Sequence, residues 1–193
     1  MQQITSALIA YYYFDSHDAA NLCLRGLLSS ILTQLGADSD KCLHVLSQLH
    51  MTYLDGSEQP SEEALAQCLK TMLGQSVQLP VYVIVDALDE CPNYNESPSA
   101  RKKVLDFMTD LIKSEHPNLR LCITSRPEQD IQTTLDPLTS TSLLVSLHEE
   151  VGQKEDINRY IHSFVQKDED MQKWTEDDRA LVISTLSERA YGM

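Results

Sequence analysis

The stretch VYVIVDALDECP, residues 81–92, places three carboxylates, Asp86, Asp89 and Glu90, within five positions directly behind five apolar or aromatic residues. A carboxylate at the tip of a buried strand is held rigidly and reaches a hard cation directly or through water. Mg2+ takes one or two carboxylates and completes its shell with water and substrate phosphates, a role that suits Asp86. Glu90, a turn further on, has the reach to orient or deprotonate a water attacking a phosphoryl group, with Asp89 helping to set its position. A second stretch, LRLCITSRPE at 119–128, runs an apolar segment into Ser125 and Arg126. An arginine there offers a bidentate cationic donor where charge grows on a phosphate in the transition state. Taken singly, each feature has an ordinary explanation. A D-x-x-D-E run after a strand also occurs as a solvated loop or as a helix start gathering acids, and a lone arginine says less still. The pairing of the two stretches is what points to chemistry.

The surrounding elements must hold these side chains. ALIAYYYF at 7–14 is a continuous apolar and aromatic run, which predicts a strand covered on both faces. Apolar positions at 24, 27, 28, 31, 32 and 35 predict a helix that exits at Gly36. Further helices are expected from about Ser39 to His50 and from Ser61, the latter with Leu65, Cys68, Leu69, Met72 and Leu73 on one face before Gly74. VYVIV, after Pro80, reads as the second strand. NYNESPS is a polar loop, and Ser99 caps a helix whose apolar face is Val104, Leu105, Met108, Leu111 and Ile112. LRLCIT forms the third strand and SLLVSL at 142–147 a fourth. Ile157, Tyr160, Ile161, Phe164 and Val165 mark a helix, and Thr175 with Asp178 opens a last one through a capping box. Strands separated by helices imply parallel pairing in an open α/β sheet, and such sheets bind ligands at the carboxyl ends of their strands. Asp86, Ser125 and Arg126 all fall there.

The bulk properties narrow the function. A chain of 193 residues can bury one substantial core, and a net charge of −14 repels phosphate backbones, so DNA or RNA binding as the main task is excluded. Cysteines at 23, 42, 68, 91 and 122 lie 19 or more residues apart, with no C-x-x-C pair or zinc-finger spacing, and read as buried, reduced thiols of a cytoplasmic protein. The first residues lack a basic flank and a cleavage site, and no apolar run reaches membrane-spanning length, so neither a secretory leader nor a membrane partner is expected.

On these residues the sequence resembles the NACHT domains, a class of P-loop NTPases. VYVIVDALDEC is similar to their Walker B segment, in which the metal-binding aspartate is followed by a small residue and an acidic pair, here Asp86, Ala87, Asp89 and Glu90. LRLCITSRPE resembles the sensor 1 strand, whose arginine monitors the γ-phosphate, a role that falls on Arg126. YYYFDSHDAANLCLRGLLSSILTQL is similar to the strand and helix behind the P-loop, and SLHEEVGQKEDINRYI to the entry of the helical domain. The style is nearest to NACHT modules of filamentous-fungal proteins with ankyrin or WD repeats. The resemblance implies a three-layer α/β P-loop architecture with a mostly parallel sheet over residues 1–150 and the start of a helical domain over 151–193.

One part of that pattern is missing. The P-loop needs G-x-x-x-x-G-K-[ST], whose backbone N–H groups cradle the phosphates. Glycines stand only at 26, 36, 56, 74, 152 and 192, and none precedes a lysine. By resemblance these residues begin behind Walker A, and with a sheet order 5-1-4-3-2 the P-loop strand would lie between the strand ending in Arg126 and SLLVSL. The expectation is therefore part of a NACHT-type signalling NTPase that holds ATP or GTP with Mg2+ in the complete domain, with little nucleotide affinity of its own. Asp86 would serve the metal, Glu90 and Asp89 the hydrolysis, Arg126 the γ-phosphate, and other NACHT domains would be partners through oligomerisation. A non-catalytic interaction module derived from such a domain is the alternative. A haloacid-dehalogenase-type phosphatase is disfavoured because its motif wants D-x-D rather than D-x-x-D. His17 reads as a solvated loop histidine, Tyr11 to Tyr13 as sheet packing, and Trp174 as an anchor for the last helix.

Overall fold

The computed structural model describes residues 7–17, 22–53, 58–75, 79–94, 98–140, 143–146 and 151–189, with side chains described from 155 onward in the last segment. The chain divides into two compact units, Met1–Ser140 and Thr141–Met193.

The first unit is α/β. Strands β1 (Leu8–Tyr13), β2 (Val81–Asp86) and β3 (Leu119–Ile123) form a parallel sheet in the order β1-β2-β3. The register pairs Tyr13 with Asp86 and Val85 with Ile123, so β2 is central and its carboxyl end is flanked on both sides. Helices α1 (Leu24–Asp38), α2 (Asp40–Thr52) and α3 (Glu62–Gln75) lie between β1 and β2, α4 (Ala100–Lys113) between β2 and β3, and α5 (Gln129–Leu135) behind β3. Crossovers of this length are what parallel pairing requires. Ser39 opens α2 by accepting the Cys42 N–H, and Ser99 opens α4 by accepting the Lys102 N–H at 3.2 Å.

The apolar stripes of α1, α3 and α4 (Leu27, Leu28, Ile31, Leu32; Leu69, Met72, Leu73; Leu105, Met108) join Leu8, Ala10, Val81, Val83 and Val85 in one buried cluster. Alternate strand residues point the other way, and that face is not covered by any described element of this unit. Ile9, Tyr11, Tyr13, Tyr82 and Ile84 are exposed there, with Tyr13 at 62%. The expectation that β1 is covered on both faces is thus corrected. The run ALIAYYYF hides a two-residue alternation because tyrosine tolerates both environments, its ring apolar and its hydroxyl wet. The described residues supply two of the three layers expected by resemblance.

The outer edge of β1 is closed by a side chain. Gln34 of α1 accepts the Tyr11 N–H at 3.1 Å and donates to the Tyr11 carbonyl at 2.8 Å, occupying a site where another strand would pair.

Three further readings change. Gly36 does not end α1 but lies inside it, buried, where α2 crosses: a Cβ there would stand 3.2 Å from Leu46 Cδ2. The residues 143–146 of the expected fourth strand are not in a strand; residues 142 and 147 lie outside those described. A strand exists only against a neighbour, and in the order expected by resemblance its neighbour is the P-loop strand. Cys122 is exposed on the uncovered sheet face, whereas Cys42, Cys68 and Cys91 are buried. Burial pushes the Cys68 thiol up to about 11 and the Cys91 thiol to about 12, which keeps both protonated at neutral pH.

The second unit contains α6 (Val151–Lys167) and α7 (Glu176–Arg189). Ile161 and Val165 are buried on α6, while Tyr160 and Phe164 stack on its surface with centroids 6.2 Å apart. The capping box forms as expected: Thr175 Oγ1 accepts the Asp178 N–H at 3.2 Å and donates to the Asp178 carboxylate at 2.6 Å. Trp174 is half-exposed, so burial of its ring does not anchor α7. No helix among the described residues is long and apolar enough to cross a membrane.

Candidate functional site

The acid loop begins where β2 ends. Asp86 follows the alternation of its strand and projects on the uncovered face, beside Tyr13 of β1. The next residue, Ala87, takes a left-handed conformation (φ 54, ψ 46), an arrangement that costs a non-glycine residue about 1–2 kcal/mol. Two contacts with Thr124, the residue after β3, stabilise it. The Ala87 N–H donates to Thr124 Oγ1 at 3.1 Å and the Leu88 N–H to the Thr124 carbonyl at 3.0 Å. The chain then turns through a short 3-10 helix, Leu88–Glu90, with Leu88 fully buried as its anchor. The sharp turn after Asp86 carries Asp89 and Glu90 away from the strand axis.

Each acid has a distinct partner. Thr124 donates its hydroxyl to Asp86 Oδ1, and the other oxygen has no partner among the described residues while the side chain stays exposed. Asp89, whose side chain is only 11% exposed, accepts the Arg126 backbone N–H at 3.0 Å and faces the Arg126 Nε at 3.5 Å. Glu90 Oε2 accepts the Ser16 N–H at 2.7 Å, tying the loop behind β1 to the loop behind β2. Behind Ser16, His17 donates its own N–H to Asp15 and stands 2.9 Å from it through Nδ1, and these hydrogen bonds hold the Asp15 carboxyl below the usual carboxylate range. The His17 side chain is almost fully exposed and faces no acid of the β2 loop.

The four residues singled out by sequence thus converge on the carboxyl ends of neighbouring strands, with different availability. Asp86 is open. Asp89 is engaged twice and nearly buried, which makes it a brace for Arg126. The Arg126 side chain is 82% exposed with its guanidinium drawn toward Asp89, and an ion pair this exposed contributes at most about 1 kcal/mol.

A divalent cation fits part of this arrangement. No group of three or more His, Cys, Asp or Glu side chains among the described residues could hold a metal. A single open carboxylate beside a hydroxyl is the donor set of an Mg2+ that draws its remaining ligands from water and phosphate, and it does not suit a site enclosed by protein.

Two participants were not evident from residue type. Thr124 stands opposite Asp86 once β2 and β3 are in register, and the alignment of VYVIVD with LRLCIT would have found it. Ser16 acts through its backbone N–H, for which no residue-type signal exists.

Residues 1–126 match the family described as nephrocystin 3, N-terminal, a span that ends at Arg126. No curated protein and no solved structure matches the chain.

Proposed function

The chain belongs to the nephrocystin 3 N-terminal family, and we propose, on the resemblance of residues 81–92 and 119–128 to NACHT motifs, that it forms part of a nucleotide-binding signalling NTPase of the NACHT type. The observation that carries this reading is the placement of Asp86 at the carboxyl end of the central parallel strand, on the uncovered face, with Arg126 at the end of the adjacent strand. A bound Mg2+ would supply charge neutralisation between phosphate oxygens. Asp86 would hold it through the oxygen that Thr124 leaves open. Glu90, fixed in direction by the Ser16 N–H, would orient the attacking water and receive its proton. Arg126 would exchange Asp89 for the γ-phosphate, so that its position reports whether that group is present. Arg126 follows β3, an edge strand among the described residues, beside which the resemblance locates the P-loop strand, and Asp86 ends the neighbouring β2.

Mg2+-dependent binding of a fluorescent ATP analogue tests this, measured on the 193-residue chain and on the same chain extended upstream to include any G-x-x-x-x-G-K-[ST] segment that its gene encodes. Binding by the extended form alone, lost in Asp86→Ala, is the expected result. Tight binding by the 193-residue chain would place the phosphates elsewhere and defeat the proposal.

A second reading has one observation in its favour. The exposed row of Ile9, Tyr11, Tyr13, Tyr82 and Ile84 is a contiguous apolar patch of the kind that marks association surfaces. A non-catalytic oligomerisation module built on it would form concentration-dependent assemblies in light scattering without nucleotide. A monodisperse monomer that ignores full-length NACHT partners rules this out.

A further inference from the structure

Arg101, at the start of α4, is 8% exposed, one of the few charged residues inside the first unit. A guanidinium is withdrawn from water at high cost unless every donor finds a partner. Its Nε donates to the Cys91 carbonyl at 2.8 Å and one terminal nitrogen donates to the Asp89 carbonyl. The other terminal nitrogen meets both oxygens of Asp130 on α5, at 3.2 and 3.4 Å. Asp130 also accepts from Asn93 Nδ2 at 2.9 Å, and Asn93 Oδ1 in turn accepts the hydroxyl of Ser99, the cap of α4. The network therefore closes on itself, from helix cap to acid loop to α5.

The two carbonyls gripped by Arg101 are those immediately before and after Glu90. A planar fork that holds both peptide oxygens fixes the main chain on either side of that residue, whereas the three donors of an ammonium sit on one rotating nitrogen and impose no such plane. Asp89 is fixed at the same stroke, since its carbonyl is one of the two. We infer that Arg101 is the positioning residue of the acid loop, setting through the peptides of Asp89 and Cys91 the directions in which the Asp89 and Glu90 carboxylates reach Arg126 and Ser16. Its bearing on hydrolysis rests on the proposed NTPase reading; its effect on the loop does not.

The test uses the 193-residue chain, 15N-labelled and free of nucleotide. The Ser16 and Arg126 amides donate to Glu90 and Asp89, so each should be protected from exchange with solvent. In Arg101→Lys, which keeps the positive charge beside Asp130, the larger part of that protection is expected to be lost at both amides while the core amides of Leu27, Val83 and Leu105 keep theirs. Arg101→Met should lose it entirely. Protection in Arg101→Lys equal to that of the unsubstituted chain overturns the inference, as does a loss spread evenly over core and loop amides. The unsubstituted chain gives a check that needs no variant to fold. Its Arg101 Nε–H must be protected from solvent exchange relative to that of Arg159, whose side chain is 76% exposed; equal exchange overturns the clamp. With no nucleotide in the sample, failure of the ATP analogue to bind leaves these results standing, and the reverse holds equally.

Discussion

In a P-loop-containing form that hydrolyses nucleotide, Glu90→Gln is expected to lower the hydrolysis rate by about 10²–10⁴-fold with little change in Mg2+-dependent nucleotide binding. The substitution separates chemistry from architecture. The amide oxygen of glutamine can still accept the Ser16 N–H that Glu90 Oε2 accepts at 2.7 Å, so the loop behind β1 keeps its tie. What disappears is the ability to take a proton. Asp86→Ala should give the opposite pattern, with nucleotide binding in Mg2+ lost first, because the open oxygen beside Thr124 is gone. Single-turnover hydrolysis and equilibrium binding, measured side by side, distinguish the two. A Glu90→Gln variant that turns over at the unsubstituted rate would remove Glu90 from the chemistry and leave it as a hinge between two loops.

The second large effect concerns the sheet. Leu8 and Ile9 are neighbours in β1 with side chains of the same size, yet Leu8 is 1% exposed and Ile9 52%. Leu8→Ala should cost about 2–5 kcal/mol, since the lost methyl groups leave a cavity among close-packed partners. Ile9→Ala should cost under about 1 kcal/mol, the range for surface strand positions where mainly β propensity changes. Urea unfolding followed by circular dichroism measures both. Equal losses would mean that the uncovered face is buried in solution, by self-association or by residues outside those described, and repeating the measurement over a range of protein concentrations separates these causes.

Much of this was legible in the residues. The alternation of β-branched strands with amphipathic helices determined the parallel α/β class, because crossovers long enough to hold a helix leave parallel pairing as the compact solution. Helix starts at Ser39, Ser99 and Thr175 were readable because capping is local: the residue that satisfies the free N–H groups lies within a turn of them. The positions of Asp86 and Arg126 followed from the same logic, since a polar residue closing an apolar strand has one place to be. The family match over residues 1–126 concerns this region.

Tertiary structure decided what no local pattern encodes. Which face of the sheet is covered depends on where the crossover helices land, and tyrosines at 11 and 13 are compatible with either outcome. Whether 142–147 pairs depends on a neighbour that the segment does not carry. Gly36 resembles a helix terminator in sequence and proves to be a crossing point, because the approach of Leu46 is set by α2. The division of labour among the acids was likewise hidden. Asp86, Asp89 and Glu90 are chemically near-equivalent in the chain, and they come to differ in partners and exposure only because Thr124, Arg126 and Ser16 reach them from the segments behind β3 and β1. Arg101 is the clearest case. In sequence it is one of three consecutive basic residues at a helix start, and only the closing of α4 and α5 around the acid loop withdraws it from water and turns it on the carbonyls of Asp89 and Cys91.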